Sequence, residues 1–232
     1  GDHRDLHSLP TRRSSDLPKL NLIISTFGNV SCVDKAKGIF GIKPSGVPYD
    51  VLKIEDIVIC DFDGLVVDGN MRPSSDTKTH AVLYKSWPDI GGIAHTHSTF
   101  ATAWAQSLRD IPLFGTTHAD YLTQDIPCAL PMKDTYIQGD YEWNTGLQII
   151  DCLKERGLNY KDVQMMLVGS HAPFTWGENA TQAVHNSAIL EQCAHMAYLT
   201  LQINPHAERL KQSLIDKHHM RKHGPKSYYG QY

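Results

Sequence analysis

Residues 91–101 read GGIAHTHSTFA, an apolar run that closes on His95-Thr96-His97. Strand side chains alternate faces with period two, so a strand through this run puts both imidazoles on one face at its end. A second apolar run, 165–169, is followed at once by His171 in GSHAPFTWG (169–177). Histidines at the ends of two strands can converge on one divalent ion, which needs at least a third protein ligand and an open position to do chemistry. The His-x-His pair alone is a weak signal, because any one of the 13 histidines is more often a surface or hydrogen-bonded residue.

Outward from this run, short apolar or β-branched segments alternate with helical patterns, the signature of α/β layering. Strands are expected over 22–25, 39–43, 57–61, 65–67, 92–97, 165–169 and 174–176. Asp63-Gly64 marks a hairpin turn, and 165–176 reads as two strands joined by a turn. Ser75 or Asp76 is placed to cap a helix that runs to about 86 before Pro88, and a helix over 144–156 ends at Gly157, a natural left-handed stop. Helices are also expected over 179–202 and 207–221. No internal repeat or linker divides the chain, and 232 residues with 41% hydrophobic content suit one large domain.

A formal charge of −3 gives no basic surplus for nucleic acid, so an anionic substrate needs a local positive site. No stretch approaches the roughly 20 apolar residues of a membrane span. Five scattered cysteines without a CxxC pair suit reduced thiols better than a disulfide framework, which points to a cytoplasmic protein. Residues 1–16 show neither helical nor strand periodicity and are expected to be a tail, non-native or disordered, ahead of a domain spanning 17–232. The string HSLPTRRSSDL (7–17) is also similar to the conceptual translation of a sequencing-library adapter, with one residue changed.

Three polar turns precede the histidines: Gly28-Asn29-Val30-Ser31, Lys43-Pro44-Ser45-Gly46 and Pro73-Ser74-Ser75-Asp76. Each offers backbone N–H groups, hydroxyls or an ammonium, and the third opens a helix whose N-terminus attracts anions. Taken singly, each is also ordinary turn and cap chemistry. Lys43, closing an apolar strand, is the least ordinary of these residues.

In order, the chain carries GNVS (28–31), IKPSG (42–46), PSSDT (73–77), GGIAHTHS (91–98), IPLFGTTHADY (111–121), GDYEWNTG (139–146), SHAPFTWG (170–177) and KHHMRKHG (217–224) before YYGQ (228–231). Together these motifs resemble the L-ribulose-5-phosphate 4-epimerases of the class II aldolase and adducin-like family, from Leu17 to the end. The resemblance implies a single α/β domain with a central, mostly antiparallel sheet flanked by helices, assembled as a homotetramer with sites at subunit interfaces. It implies one Zn²⁺ per subunit, held by His95, His97 and His171 with Asp76 counted among the ligands. It carries the substrate phosphate to Gly28, Asn29, Ser45, Gly46, Ser74 and Ser75 with Lys43 nearby, and places the acid/base pair on Asp120 and Tyr229. It also implies that Tyr229 and His218 reach the pocket of a neighbouring subunit. The substrate it implies is a phosphorylated ketopentose, in arabinose catabolism or another pentose route. Two other readings share the motifs. An L-fuculose-1-phosphate type aldolase would be expected to have Glu at 76, and a non-catalytic adducin-like scaffold should have lost metal ligands. The chain departs from the family pattern at Gly41, usually branched and apolar, at Phe27, where Trp is expected, and in the amphipathic first helix that 1–16 replaces.

Overall fold

The computed structural model describes residues 4–225 and 227, without the side chains of Arg4 and Asp5. Its centre is a seven-stranded sheet of order β4-β3-β2-β1-β5-β7-β6, and every neighbouring pair is antiparallel. The strands are β1 (Asn29–Asp34), β2 (Ile39–Ile42), β3 (Val58–Asp61), β4 (Val66–Asp68), β5 (Gly92–His95), β6 (Met165–Leu167) and β7 (Pro173–Gly177). Around them lie α1 (Arg4–Ser14), α2 (Asp16–Lys19), α3 (Thr77–Ser86), α4 (Thr99–Gln106), the short turns α5 (Thr116–Ala119) and α6 (Asp134–Ile137), then α7 (Tyr141–Glu155), α8 (Ala180–Ile203) and α9 (Gln212–His223).

Period-two alternation sorts the side chains onto the two faces. Phe40, Ile42, Val58 and Cys60 pack with Ala81 and Leu83 of α3 and Ile149 and Leu153 of α7. Val30 and Cys32, pointing the other way, pack with Leu17, Leu22 and the start of α8 at Ala180, Ala183 and Val184. The far half of α8 closes a third cluster with α4 through Trp104, Leu190, Cys193 and Ala197. All five cysteines are buried as thiols, outside any disulfide. No helix among the described residues is long and apolar enough to cross a membrane.

The expected strand over 22–25 is not formed. Asn21 and Ser25 take left-handed φ of 55° and 56°, and the segment turns so that Leu22 is buried while Ile24 stays 59% exposed. The strand that the sequence reading passed over is β1, because Asn29 and Ser31 put polar side chains on one of its two buried faces and mask the apolar pattern. The missed α4 gains its start from elsewhere in the chain: the Glu191 carboxylate accepts the N–H groups of Phe100 and Ala101 at 2.9 and 2.8 Å. The last helix starts at Gln212 instead of 207, since the Leu210 N–H donates to the Leu113 carbonyl and holds the preceding segment as a loop.

The segment 1–16, expected to be a non-native or disordered tail, is helical over residues 4–14. Leu6 of this helix, α1, packs with Ile39, Ile57 and Ile59 on the outer half of the sheet. Gly41 makes this approach possible, because a Cβ there would sit 2.2 Å from the Leu6 carbonyl oxygen. Removing a buried leucine side chain costs roughly 2 kcal/mol or more, and 1 kcal/mol is about 2–4 °C in a protein of this size. Leu6→Ala should therefore lower the melting temperature by roughly 4 °C or more; an unchanged transition in a thermal melt would show that the segment contributes nothing to the fold.

Candidate metal and anion site

The site is assembled by one row of paired strand residues. Asn29 of β1 lies opposite His95 of β5, and His95 lies opposite Phe174 of β7, so all three side chains share one face. The His95 ring stacks on Phe174 at 4.1 Å between centroids. Strand β5 ends at His95, two residues earlier than expected, and His97 extends past it under the half-exposed Phe27, whose ring centre is 5.4 Å away. His171 sits in the turn of the β6–β7 hairpin, where the Val168 N–H donates to the Ala172 carbonyl and Ser170 adopts φ 60°. Because β7 lies between β5 and β6, that turn is delivered to the end of β5.

The ligand atoms of His95, His97 and His171 all lie within 4.8 Å of one another. His95 Nδ1 donates to the Pro173 carbonyl at 2.9 Å, which leaves its Nε2 with a bare lone pair 3.1 Å from His97 Nε2. His171 Nδ1 is buried with no hydrogen-bond partner among the described residues. Burial, and then the neighbouring imidazoles, push the His95 and His97 pKa values down, and burial does the same for His171. The cluster is thus three imidazoles kept uncharged by burial, with the His95 Nε2 lone pair turned to the other two rings, a donor set that suits a cation. Asp76 supplies the negative charge: its Oδ2 is 3.9 Å from His95 Nε2. Asp76 stands at the N-cap of α3, as the sequence suggested, yet its side chain makes no capping hydrogen bond and turns to the histidines instead. These residues fit a divalent metal.

The three polar turns line the same cavity of about 360 Å³, together with the three histidines and Asp76. Two of them are joined as a short ladder, with Ser74 N–H donating to the Lys43 carbonyl and Ser45 N–H to the Arg72 carbonyl. The third is tied in by Tyr49, which the sequence reading did not single out; its hydroxyl donates to the carbonyls of Gly28 and Phe27 at 2.7 and 3.0 Å. Gly28 needs its left-handed φ of +83° and its missing Cβ, which would meet the His95 carbonyl oxygen at 2.7 Å. Lys43 is 1% exposed, with Nζ 3.2 Å from the Pro44 carbonyl and 4.6 Å above the Tyr49 ring. Burial lowers its pKa to about 8. Gly28, Asn29, Lys43, Ser45, Gly46, Ser74 and Ser75 therefore all line one cavity together with the metal-type cluster.

Asp120 and His218 do not line this cavity. They meet each other at the junction of α5 and α9, with His218 Nδ1 at 3.0 Å and Arg221 Nη2 at 3.1 Å from the Asp120 carboxylate. Burial by itself would raise the Asp120 pKa, but Arg221 and then His218 hold it below the ordinary carboxylate range. In the sequence Arg221 stands only as a residue of the KHHMRKHG stretch (217–224). Tyr229 lies outside the described residues.

Residues 12–198 match the family described as Class II Aldolase and Adducin N-terminal domain, and the chain belongs to that family. Among its curated relatives is the L-ribulose-5-phosphate 4-epimerase UlaF of Salmonella paratyphi B, 49% identical over 216 residues that cover 93% of this chain and 94% of the relative. The corresponding protein of Salmonella choleraesuis is equally similar. Of solved structures, an L-fuculose 1-phosphate aldolase superposes with a TM-score of 0.79 at 24% identity, covering 95% of this chain and 99% of that one. The L-fuculose-1-phosphate aldolase of Thermus thermophilus gives 0.69 at 21%, over 88% and 99%. At these identities the likeness is one of fold.

Two outcomes follow from the site. Saturating Zn²⁺ should raise the melting temperature of the chelator-stripped protein, since a ligand bound only by the folded state stabilises it; His171→Ala should lose that rise. Lys43 should make inorganic phosphate bind more weakly as pH is raised from 7 to 9, because its charge is lost around pH 8. Calorimetric titration of Lys43→Met should show weak binding at both pH values. The same lysine costs stability: the unfolded chain, with an ordinary lysine, binds more protons between about 8 and 10.5, so stability contributed at this position rises with pH through that window.

Proposed function

We propose that this chain is an L-ribulose-5-phosphate 4-epimerase, interconverting L-ribulose 5-phosphate and D-xylulose 5-phosphate as a cytoplasmic, zinc-binding homotetramer. The observation that carries the reading is one cavity lined both by a chelating group, three uncharged imidazoles beside Asp76, and by an anion group, a buried lysine among turn N–H groups and hydroxyls. The relatives with this name are 49% identical over nearly the whole chain. Asp at 76, where the aldolase reading expects Glu, favours the epimerase.

The hydrogen on C4 of a 2-ketopentose phosphate is not acidic, so inversion there proceeds by breaking and re-forming the C3–C4 bond. A base takes the C4 hydroxyl proton, the C3–C4 electron pair moves into the C2–C3 bond and onto the ketone oxygen, and C4 becomes the aldehyde of glycolaldehyde phosphate. The aldehyde turns over, the bond re-forms on its other face, and an acid returns a proton to the new C4 oxygen. A divalent metal held by His95, His97 and His171 with Asp76 supplies Lewis-acid stabilisation of charge on the ketone oxygen. Gly28, Asn29, Lys43, Ser45, Gly46, Ser74 and Ser75 form the cradle that keeps the phosphorylated fragment from leaving, which separates epimerisation from aldol cleavage.

Asp120, held ionised by Arg221 and His218, is a fit proton acceptor, and Tyr229 is its partner on the opposite face. Because the Asp120 cluster lies outside its own chain's cavity, we assign it to a neighbouring subunit's site, with His218 and Tyr229 reaching the substrate there. Rings of this kind join subunits head to tail.

Purified protein with Zn²⁺ and L-ribulose 5-phosphate should yield D-xylulose 5-phosphate in a coupled assay; free glycolaldehyde phosphate as the main product would make the protein an aldolase. Mixing inactive Tyr229→Phe with inactive His97→Asn under subunit exchange should restore part of the activity. No recovery despite demonstrated exchange would place both residues in the same chain's site.

A further inference from the structure

In KPSGVPY (43–49) the chain turns at Gly46, where φ is +70°, and brings Tyr49 back to Lys43. Tyr49 is buried and does not itself line the cavity, yet it touches two of the polar turns that do. Its hydroxyl lies 2.7 Å from the Gly28 carbonyl oxygen and 3.0 Å from that of Phe27. Carbonyl oxygens only accept, so the phenol is the donor to both. Burial, and then the Asp76 carboxylate, raise its pKa and keep that proton in place. A trans peptide sets its N–H opposite its C=O, so with the Phe27 carbonyl turned to Tyr49 the Gly28 N–H is turned away from it. Glycine has wide backbone freedom, and its φ of +83° is held here by contacts instead of by its own preference.

The ring of Tyr49 meets the other turn. Lys43 Nζ lies 4.6 Å from the ring centroid, within the range over which an ammonium is drawn to an aromatic face. Lys43 is 1% exposed, and against its three N–H donors the Pro44 carbonyl at 3.2 Å is a single acceptor. A buried ammonium so placed gains from a π face, which also fixes where the charge sits. We infer that Tyr49 is a positioning residue for anion binding: its hydroxyl sets the turn at Gly28, its ring sets the ammonium of Lys43, and one buried side chain holds the two in register. This rests on the proposed role of Gly28 and Lys43 in holding the substrate phosphate. A residue that served only the core, where Tyr49 also packs with Leu17 and Leu22, would stabilise the fold without dividing its effect between ring and hydroxyl.

The test titrates the full chain with inorganic phosphate at about pH 7, followed by phosphorus NMR, where the lysine is largely charged. Tyr49→Phe removes the hydroxyl and keeps the ring, Tyr49→Leu removes both, and each is also made beside Lys43→Met. Tyr49→Phe should weaken phosphate about fivefold, and by a similar factor beside Lys43→Met, because the hydroxyl acts through Gly28. Going from Tyr49→Phe to Tyr49→Leu should weaken it about fivefold again. Beside Lys43→Met that further loss should shrink to less than about twofold, since the ring acts through an ammonium that is no longer there. Tyr49→Met supplies the ring-removal step if leucine prevents folding, as a thermal melt would show. Unchanged phosphate affinity in Tyr49→Phe, or a ring step as large beside Lys43→Met as without it, would each overturn the inference and leave Tyr49 a core residue. A wild-type chain that binds phosphate no better than Lys43→Met would overturn the placement of phosphate at the lysine, and the inference with it.

Discussion

The register between β1 and β5 is the constraint on which the site depends. Asn29 pairs with His95 and Ser31 with Ile93, so the polar face of β1 and the histidine of β5 point together toward α3. A slip of one residue would send His95 into the apolar cluster around Leu17 and Leu22 and expose Ala94 to the cavity. That cost makes the register unambiguous. Tyr49 and Gly28 then fasten the loop before β1 to the loop after β2, and α3 is carried along by its contacts to Asn29 and Ser31.

The chelating and anion groups of the cavity use burial in opposite senses. In one, burial keeps three imidazoles uncharged, and the Pro173 carbonyl, accepting the His95 Nδ1–H, leaves the His95 Nε2 lone pair for a ligand. In the other, burial opposes the charge of Lys43, whose nearest acceptor is a single carbonyl oxygen. Neither arrangement serves the stability of the empty fold, and both are relieved by a bound ion of the appropriate sign. This is the pattern expected where a structure gives up folding free energy to preorganise a site.

Much of the fold was readable along the chain. Ile39, Ile57, Ile93 and Met165 sit in short apolar runs bounded by turn residues, and each run became a strand. The long helix was expected over 179–202 and runs from Ala180 to Ile203, with the Asn179 side chain accepting the Gln182 N–H at its start. β1 escaped notice because one of its two buried faces carries Asn29 and Ser31, residues whose burial makes sense only once Asp76 and His80 are across from them. Helix α1 escaped because its few leucines matter only where Gly41 leaves room on the sheet.

The sequence by itself determined the kinds of groups in the site: a His-x-His at a strand end, a histidine beyond another strand, an aspartate opening a helix and a lysine closing a strand. These are local facts, set by residue type and by periods of two and 3.6. Tertiary structure decided which groups meet. The strand order put the β6–β7 turn beside β5, Asp76 turned to the histidines instead of capping its own helix, and the α5–α9 contact gave Asp120 to His218 and Arg221 instead of to its own chain's cavity. Such pairings join residues far apart in the chain, 101 positions for Asp120 and Arg221, and no periodicity in a single chain segment encodes them.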